Sequence, residues 1–275
     1  MMTNFMNENV ELFDQPLKPA NNLAAFAYTN AFLHQLSRMK APLLHFWTLE
    51  DTLILGLKDQ RLPHLADALK WLQNKPYHFF VRNSGGLAVI SDSGILNFSI
   101  FFPFHLEDHE LGIDEVYQRM TDVVAAAFPE IMVTAGEIKH SYCPGSFDLS
   151  VNGKKIGGMS QRRNHDGSVV MLYIGVDGDQ MSRGELVRDF YGRGLRDEDN
   201  KWNFPDVCPA EMATLTDVMN SPITMAEAQE RLTNAFSHVD TAGITQLTWS
   251  PEFITHLGTD LKSIQRLQER IGGNY

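Results

Sequence analysis

The sequence contains few cysteines and no long apolar run, and each of these absences excludes a class of protein. Among its 275 residues only Cys143 and Cys208 are cysteines, too few for a disulfide scaffold or a four-cysteine zinc site. No apolar stretch approaches the roughly 20 residues that a membrane-spanning helix needs. The first residues, MMTNFMNENVELFDQ, are polar and acidic, unlike a secretory signal or a transit peptide. We therefore expect a cytoplasmic protein that does not associate with a membrane.

Positive charge is also scarce. The chain has 23 Lys and Arg against 34 Asp and Glu, a net charge of −11, whereas general nucleic-acid binding requires clustered basic residues. The P-loop motif and the HExxH zinc motif are both absent. The hydrophobic fraction of 43% is ordinary for a globular chain. These observations predict a globular protein that binds neither nucleic acid nor a metal ion.

Apolar residues at helical spacing predict a helix near the start of the chain, two in the first half and several after residue 180. In chain order, these helices are predicted over about 22–38, 64–74, 113–128, 184–192, 210–220, 224–239 and 252–271. Residues 1–20, which precede the first helix, resemble a mobile or clamping arm.

The middle of the sequence is rich in strand patterns. Strands over 43–49 and 52–57 are predicted to form a hairpin through Glu50-Asp51. Asn152-Gly153 and Asp166-Gly167 predict two successive hairpins, because both positions of such turns favour positive φ. Further strands are predicted over 78–83, 87–91, 95–102 and 131–138. This order of elements predicts an α+β fold, with a mixed, mainly antiparallel sheet flanked by helices.

The first candidate binding motif runs from Arg82 through Ser84, Gly85 and Gly86 and continues to Asn97. A glycine pair after a strand lets the backbone turn sharply, so its N–H groups can face an acyl carbonyl or a phosphate. Arg82 would bind an anion or brace the loop. The alternative is a tight turn between two strands with no ligand.

The second candidate is Cys143, in the loop sequence Ser141-Tyr142-Cys143-Pro144-Gly145. A thiol with the ordinary pKa of about 8.5 is mostly protonated at neutral pH, and a nearby cation lowers that pKa. Lys155 follows the Asn152-Gly153 turn, and folding of the hairpin would bring its ammonium toward the thiol. The alternative is that Cys143 is a small apolar side chain without chemistry, the interpretation that we assign to Cys208.

The third candidate is the strand that carries Lys155. Lys154 and Lys155 point to opposite faces of it. Gly157-Gly158 leaves space beside Lys155 for a narrow acyl tail, or else marks a β-bulge. Arg162, Arg163 and His165 continue the strand as a basic strip, which is either a solvated face or a docking site for an acidic partner.

Taken together, these motifs resemble the lipoate/octanoate protein ligase and transferase superfamily, which shares its catalytic domain with biotin protein ligases. Within it, VRNSGGLAVISDSGILN and SYCPGSFDLSVNGKKIGGMSQRR are similar to the octanoyl-[glycine cleavage H protein]:protein N-octanoyltransferases, or lipoyl amidotransferases. The likeness covers about residues 40–240. Where the ligases usually carry a third glycine and a histidine, this chain has Leu87 and Ser91. As in the amidotransferases, the cysteine precedes the lysine hairpin.

The resemblance implies a catalytic domain of the biotin/lipoate protein ligase type over 39–241. An N-terminal arm and first helix (1–38) and a helical extension (242–275) would flank it. It also implies an acyltransferase that moves an octanoyl or lipoyl group from a lysine of the glycine cleavage H protein to the lipoyl domains of 2-oxoacid dehydrogenases. Cys143 would carry the acyl group as a thioester, and Lys155 would lower the thiol pKa and act as an acid or base.

The implied substrate-binding residues are Arg82, Ser84, Gly85, Gly86, Asn97, Gly145, Gly157 and Gly158, and the expected protein is a monomer without metal or cofactor. Two alternatives remain open. One is an ATP-dependent lipoate ligase, in which Lys155 contacts an acyl-adenylate formed with ATP and Mg²⁺. The other is a non-catalytic module that binds an acylated carrier.

Overall fold

The computed structural model describes residues 4–248 and 250–272. Two β-sheets and the helices packed on them make up this part of the chain. The α-helices are α1 (Ala24–Leu33), α2 (Leu65–Leu72), α3 (Ile113–Ala127), α4 (Gln180–Leu195), α5 (Leu215–Met219), α6 (Met225–Asn234), α7 (Ala242–Thr248) and α8 (Pro251–Gln268). The strands are β1 (Asn9–Pro16), β2 (Leu43–Thr48), β3 (Thr52–Leu55), β4 (His78–Val81), β5 (Val89–Ser91), β6 (Ile95–Pro103), β7 (Thr134–Ala135), β8 (Leu149–Val151), β9 (Lys154–Asn164), β10 (Gly167–Gly175) and β11 (His238–Asp240).

The larger sheet has eight strands in the order β11-β1-β2-β6-β10-β9-β8-β7. β1 pairs in parallel with β2 and β11, and the other pairs are antiparallel. Both faces are covered. On one face Phe98 and Ile100 of β6 pack with α3, and on the other Phe101 packs with Phe32 of α1 and Phe253 of α8. Every residue of β6 is therefore buried.

The smaller sheet has the order β4-β3-β5, and it corrects one sequence prediction. Strands β2 and β3 do not form a hairpin through Glu50-Asp51, because β3 pairs only within the smaller sheet. Both edges of β2 are already occupied, by β1 and β6. The side chain of Asn22 donates to Thr52 Oγ1 where β3 begins. The short connection at Glu50-Asp51 thus links two strands that lie in different sheets.

Other predictions differ in extent rather than in kind. Of the strand predicted over 131–138, only Thr134–Ala135 pairs, at the exposed end of the larger sheet. The helix predicted over 210–220 is split into a 3-10 turn (Pro209–Glu211) and α5, which ends where Asn220 adopts a φ of 51°. Residues 9–16, within the predicted arm, form β1, and residues 1–3 lie outside the described residues. The three-part division of the chain remains a prediction.

The turn between β8 and β9 forms as predicted. Asn152 has a φ of 50° and Gly153 a φ of 76°, the left-handed pair that a tight hairpin requires. β9 then pairs with β10 over most of its length. The α+β architecture, with a mixed sheet between helices, is confirmed.

Helix α8 joins the end of the chain to the smaller sheet. The side-chain amide of Gln268 accepts a hydrogen bond from Val81 N (2.7 Å) and donates one to Val81 O (2.8 Å). Gln268 thereby satisfies the backbone of β4 at the residue before Arg82. Across the described residues, none of the helices has both the length and the apolar character needed to cross a membrane.

Candidate active site

Cys143 faces the loop that connects β4 to β5, named here the Arg82 loop (residues 82–88). Leu87 N donates to the sulfur of Cys143 at 3.4 Å. Gly86, with a φ of 87°, makes this approach feasible, because a Cβ atom there would lie 2.7 Å from Arg82 Nη2 and 3.4 Å from Cys143 Sγ. Cys143 itself has a φ of 47°. A left-handed conformation at a non-glycine residue is uncommon and costs energy, so the surrounding contacts must maintain it.

Arg82 supports this loop from within. Its guanidinium donates to Gly85 O at 3.0 Å, to Leu87 O at 2.9 Å and to Ile54 O at 3.3 Å. Ser84 O accepts from Leu57 N on the neighbouring segment. Of the two roles considered for Arg82, the geometry favours bracing the loop, because its buried donors are directed at backbone carbonyls.

Lys155 is buried beneath the Cys143 loop (residues 139–148). Its ammonium lies 2.9 Å from Asp148 Oδ1 and donates to the carbonyls of Tyr142 and Cys143, each at 3.0 Å. A further bond, of 3.2 Å, reaches Ser141 Oγ. Lys154 is exposed on the opposite face of β9, as strand alternation predicts. The ammonium therefore holds the backbone of Cys143, and the hydrogen bond to the sulfur comes from Leu87.

Asp148 is a site residue that the sequence interpretation missed. Its side chain is almost fully buried beside Lys155. Burial raises the pKa of Asp148, while the Lys155 ammonium and the N–H groups of Gly145 and Ile138 oppose that rise. Gly145 N donates to Asp148 Oδ2 at 3.1 Å, so this N–H stabilises a carboxylate and does not face the cleft. In the sequence, only the place of Asp148 directly before Leu149, at the start of a strand, could have indicated that this acid is buried.

A narrow cleft extends from Cys143 between α1 and the larger sheet. Gly158 and Tyr173 are directly opposite each other on β9 and β10, and a Cβ atom at residue 158 would lie 2.6 Å from the tyrosine ring. Asn97 lines the cleft and donates to Ser91 Oγ at 3.0 Å. The apolar lining of the cleft consists chiefly of Phe26, Trp47, Ile54, Val89, Met171 and Leu172. Such a cleft suits a slender aliphatic chain whose reactive end lies at the sulfur.

The comparisons with known proteins agree with this geometry. A family model described as the lipoyl protein ligase A/B catalytic domain matches residues 21–237. The chain belongs to this family. Its fold is also that of solved family members: a bipartite lipoate protein ligase from Thermoplasma acidophilum superposes with a TM-score of 0.68 at 19% identity, covering 98% of each chain. A lipoate-protein ligase A bound with ATP gives 0.66 at 18% identity, covering 93% of this chain and 94% of that one.

Curated relatives of this family member are more similar in sequence. The octanoyl-[GcvH]:protein N-octanoyltransferase of Anoxybacillus flavithermus is 38% identical over 232 residues, which cover 82% of this chain and 83% of that protein. The lipoyl-[GcvH]:protein N-lipoyltransferase of Listeria monocytogenes is 41% identical over 206 residues, 74% of this chain and 73% of that protein. The resemblance to the N-octanoyltransferase group is confirmed.

The remaining predicted site residues of this lipoyl ligase-family chain are only partly brought together. Arg82, Ser84, Asn97 and Gly158 line the cleft with Cys143. Gly85 contributes a carbonyl to Arg82, and Gly157 pairs with Ile174 in the sheet, so both act through the backbone.

The basic strip on β9 is largely occupied within the fold. Arg162 is hydrogen-bonded to Asn30 of α1. Arg163 donates to Leu111 O at 2.7 Å and pairs with Glu110. These contacts favour a structural role for both arginines over a free docking surface.

Proposed function

We propose that this protein is an acyltransferase that moves an octanoyl or lipoyl group between the lysines of two carrier proteins. The donor is the acylated glycine cleavage H protein, named in its relatives' activities. The acceptor is the lipoyl domain of a 2-oxoacid dehydrogenase. The observation that carries the proposal is that the sulfur of Cys143, a partly exposed residue, accepts a backbone N–H at the opening of an apolar cleft.

The reaction balances without an energy source. In the first step the thiolate of Cys143 attacks the amide carbonyl, a C–S bond forms, the C–N bond breaks, and the donor lysine leaves as an amine after taking up a proton. In the second step the neutral amine of the acceptor lysine attacks the thioester, a C–N bond forms, the C–S bond breaks and the thiolate is released. The amine gives up one proton, which balances the proton taken up in the first step. One amide replaces another, so ATP is not required and no metal is assigned a role.

Lys155 supports this chemistry through position and charge. It fixes the carbonyl of Cys143 at 3.0 Å and places a buried positive charge beneath the nucleophile's loop. Positive charge near an acyl-transfer centre stabilises the developing oxyanion. We further propose that a single copy of the chain is sufficient for activity, since all of these groups come from one chain.

The test is intact-mass analysis after mixing the enzyme with octanoylated H protein. Wild type is expected to gain the mass of one octanoyl group and to pass it to an apo lipoyl domain, whereas Cys143→Ala gains nothing and transfers nothing. Cys208→Ser is the matched control, because this exposed cysteine lies away from the cleft and its loss leaves transfer unchanged.

Two results would contradict the proposal. One is transfer by Cys143→Ala at the wild-type rate. The other is lipoylation of apo H protein from free lipoate and Mg-ATP that persists in Cys143→Ala, which would identify an ATP-dependent ligase instead.

A further inference from the structure

A buried carboxyl and a buried phenol meet behind the Arg82 loop, and the proposed reaction uses neither. Asp59 lies in the 3-10 turn Leu57–Arg61, and Tyr191 lies in α4. Asp59 is fully buried and Tyr191 nearly so. Tyr191 Oη donates to Asp59 Oδ1 at 2.8 Å, and Gly56 N donates to the other carboxyl oxygen at 2.8 Å. A buried carboxylate is costly unless it is hydrogen-bonded in this way.

The phenol also contacts the Arg82 loop directly. Ala88 N donates to Tyr191 Oη at 2.8 Å. The carbonyl of the same peptide unit, Leu87 O, accepts from Arg82 Nη2 at 2.9 Å. Both polar ends of the peptide between Leu87 and Ala88 are therefore fixed by buried side chains. The neighbouring N–H, that of Leu87, is the one that donates to Cys143 Sγ.

Asp59 determines the direction of these hydrogen bonds. An ionised carboxylate only accepts, so the phenol proton must point toward it, and the lone pairs of Tyr191 are left for Ala88 N–H. Burial raises the pKa of Asp59 to about 6, against the opposing effects of the Tyr191 and Gly56 hydrogen bonds and the charges of Arg82 and Lys58. Burial likewise raises the pKa of Tyr191 well above its ordinary value, so its hydroxyl keeps its proton.

From this geometry we propose that Asp59 and Tyr191 are positioning residues that keep the Leu87 N–H directed at the sulfur of Cys143. The inference rests on the proposed function, in which that sulfur is the nucleophile. Asp59 and Tyr191 act on the thiolate through the backbone of the Arg82 loop, and they contact neither the substrate nor the sulfur. A purely structural hydrogen bond would affect unfolding but not the reactivity of the thiol.

The main test is Tyr191→Phe in a Cys208→Ser background. Phenylalanine keeps the ring in its apolar cluster and removes only the hydroxyl. We expect kcat for octanoyl transfer to fall about tenfold, the effect of one ordinary hydrogen bond, with an unchanged KM for the acylated donor. Alkylation of Cys143 by iodoacetamide is expected to slow by a similar factor near pH 7. Wild-type alkylation rates across the pH range in Tyr191→Phe would overturn the inference.

Matched variants separate positioning from a loss of folding. Asp59→Asn offers one acceptor where the carboxylate offers two, so either the Tyr191 hydroxyl or Gly56 N–H loses its partner. Alkylation in this variant is expected to slow, but by less than in Tyr191→Phe. The double variant Tyr191→Phe/Asp59→Asn leaves no buried charge without a donor, so it retains the fold and still shows the slower reaction. Tyr28→Phe removes a half-buried hydroxyl away from Cys143 and is the neutral control. A double variant that reacts like wild type would contradict the positioning role.

Failure of the proposed function gives a different result. If octanoylated H protein never acylates Cys143 in any variant, while iodoacetamide still distinguishes Tyr191→Phe from wild type, the assigned reaction is wrong and the positioning role stands. If octanoyl transfer occurs and both reactions are insensitive to Tyr191→Phe, the positioning role is wrong and the transferase assignment stands.

Discussion

The Arg82 loop and the β8–β9 hairpin meet at Cys143, yet different forces hold them in place. The hairpin is fixed by regular backbone pairing with β10, and its one buried ion pair joins Lys155 to Asp148. The loop has no regular pairing and is held by several side-chain bonds to its backbone, from Arg82 and Tyr191. The hairpin thus depends on one pair of side chains, whereas the loop depends on several side chains, each of which makes part of its contacts.

This difference has a consequence for substitution. Removal of one partner of a buried ion pair leaves an unpaired buried charge, so a single substitution causes a large loss of stability. Loss of one brace of the loop leaves the other braces in place, so the damage should be smaller and more local.

The largest effect is expected for Asp148→Leu. The ammonium of Lys155 would remain buried without its carboxylate, which costs roughly 4 kcal/mol of unfolding free energy, and octanoyl transfer should be lost. Urea unfolding and the transfer assay measure the two effects. Adding Lys155→Met should restore a large part of the stability, because no charge is then left unpaired, but it should not restore transfer. Stability that stays low in the double variant would show that the hairpin does not depend on this pair alone.

A smaller loss is expected for Arg82→Met. The buried carbonyls of Ile54 and Leu87 and the carbonyl of exposed Gly85 lose their donor. We expect about 3 kcal/mol of destabilisation, together with a decrease in the rate of Cys143 alkylation. Tyr191 still holds Ala88, so alkylation should be slowed rather than abolished. Arg188→Met is the control, since Arg188 is exposed and pairs with its sequence neighbour Asp189. A fully inert thiol in Arg82→Met would mean that the loop too depends on one residue.

The smallest effects concern pH, and two buried groups outside the hairpin, His45 and Asp59, contribute to them with opposite signs. His45 of β2 is fully buried, which lowers its pKa to about 3. Between pH 7 and pH 5 the unfolded chain takes up a proton at this histidine and the folded chain does not, so about 2 kcal/mol of stability is lost. Asp59, with a folded pKa of about 6, takes up its proton more readily when folded, and the same acidification adds about 1 kcal/mol.

Urea unfolding at pH 7 and pH 5 distinguishes the two contributions. His45→Phe should reduce the loss of stability on acidification, and Asp59→Asn should enlarge it. Changes in the same direction for both variants would show that the two groups do not titrate as assigned.

The same contrast explains what the sequence could predict. The β8–β9 hairpin, α2 and α3 follow from local signals, the Asn-Gly turn and apolar periodicity. The candidate Cys143 and Lys155 also came from motifs close in sequence. The residues that brace the Arg82 loop from behind did not, because Tyr191 and Asp59 are 132 residues apart and meet only in the folded chain. The predicted hairpin between β2 and β3 was wrong for the same reason: their separation into different sheets depends on β1 and β6 occupying both edges of β2.

The contact of Gln268 with Val81 bears on the order of events during synthesis. Residues 78–81 leave the ribosome long before residue 268, so in the nascent chain the backbone of Val81 lacks the amide that later satisfies it. A chain released before Gln268 keeps these polar groups exposed on a strand edge, where they can recruit a strand from another molecule. Loss of the segment that carries Gln268 is therefore expected to increase association between molecules through this edge of the smaller sheet.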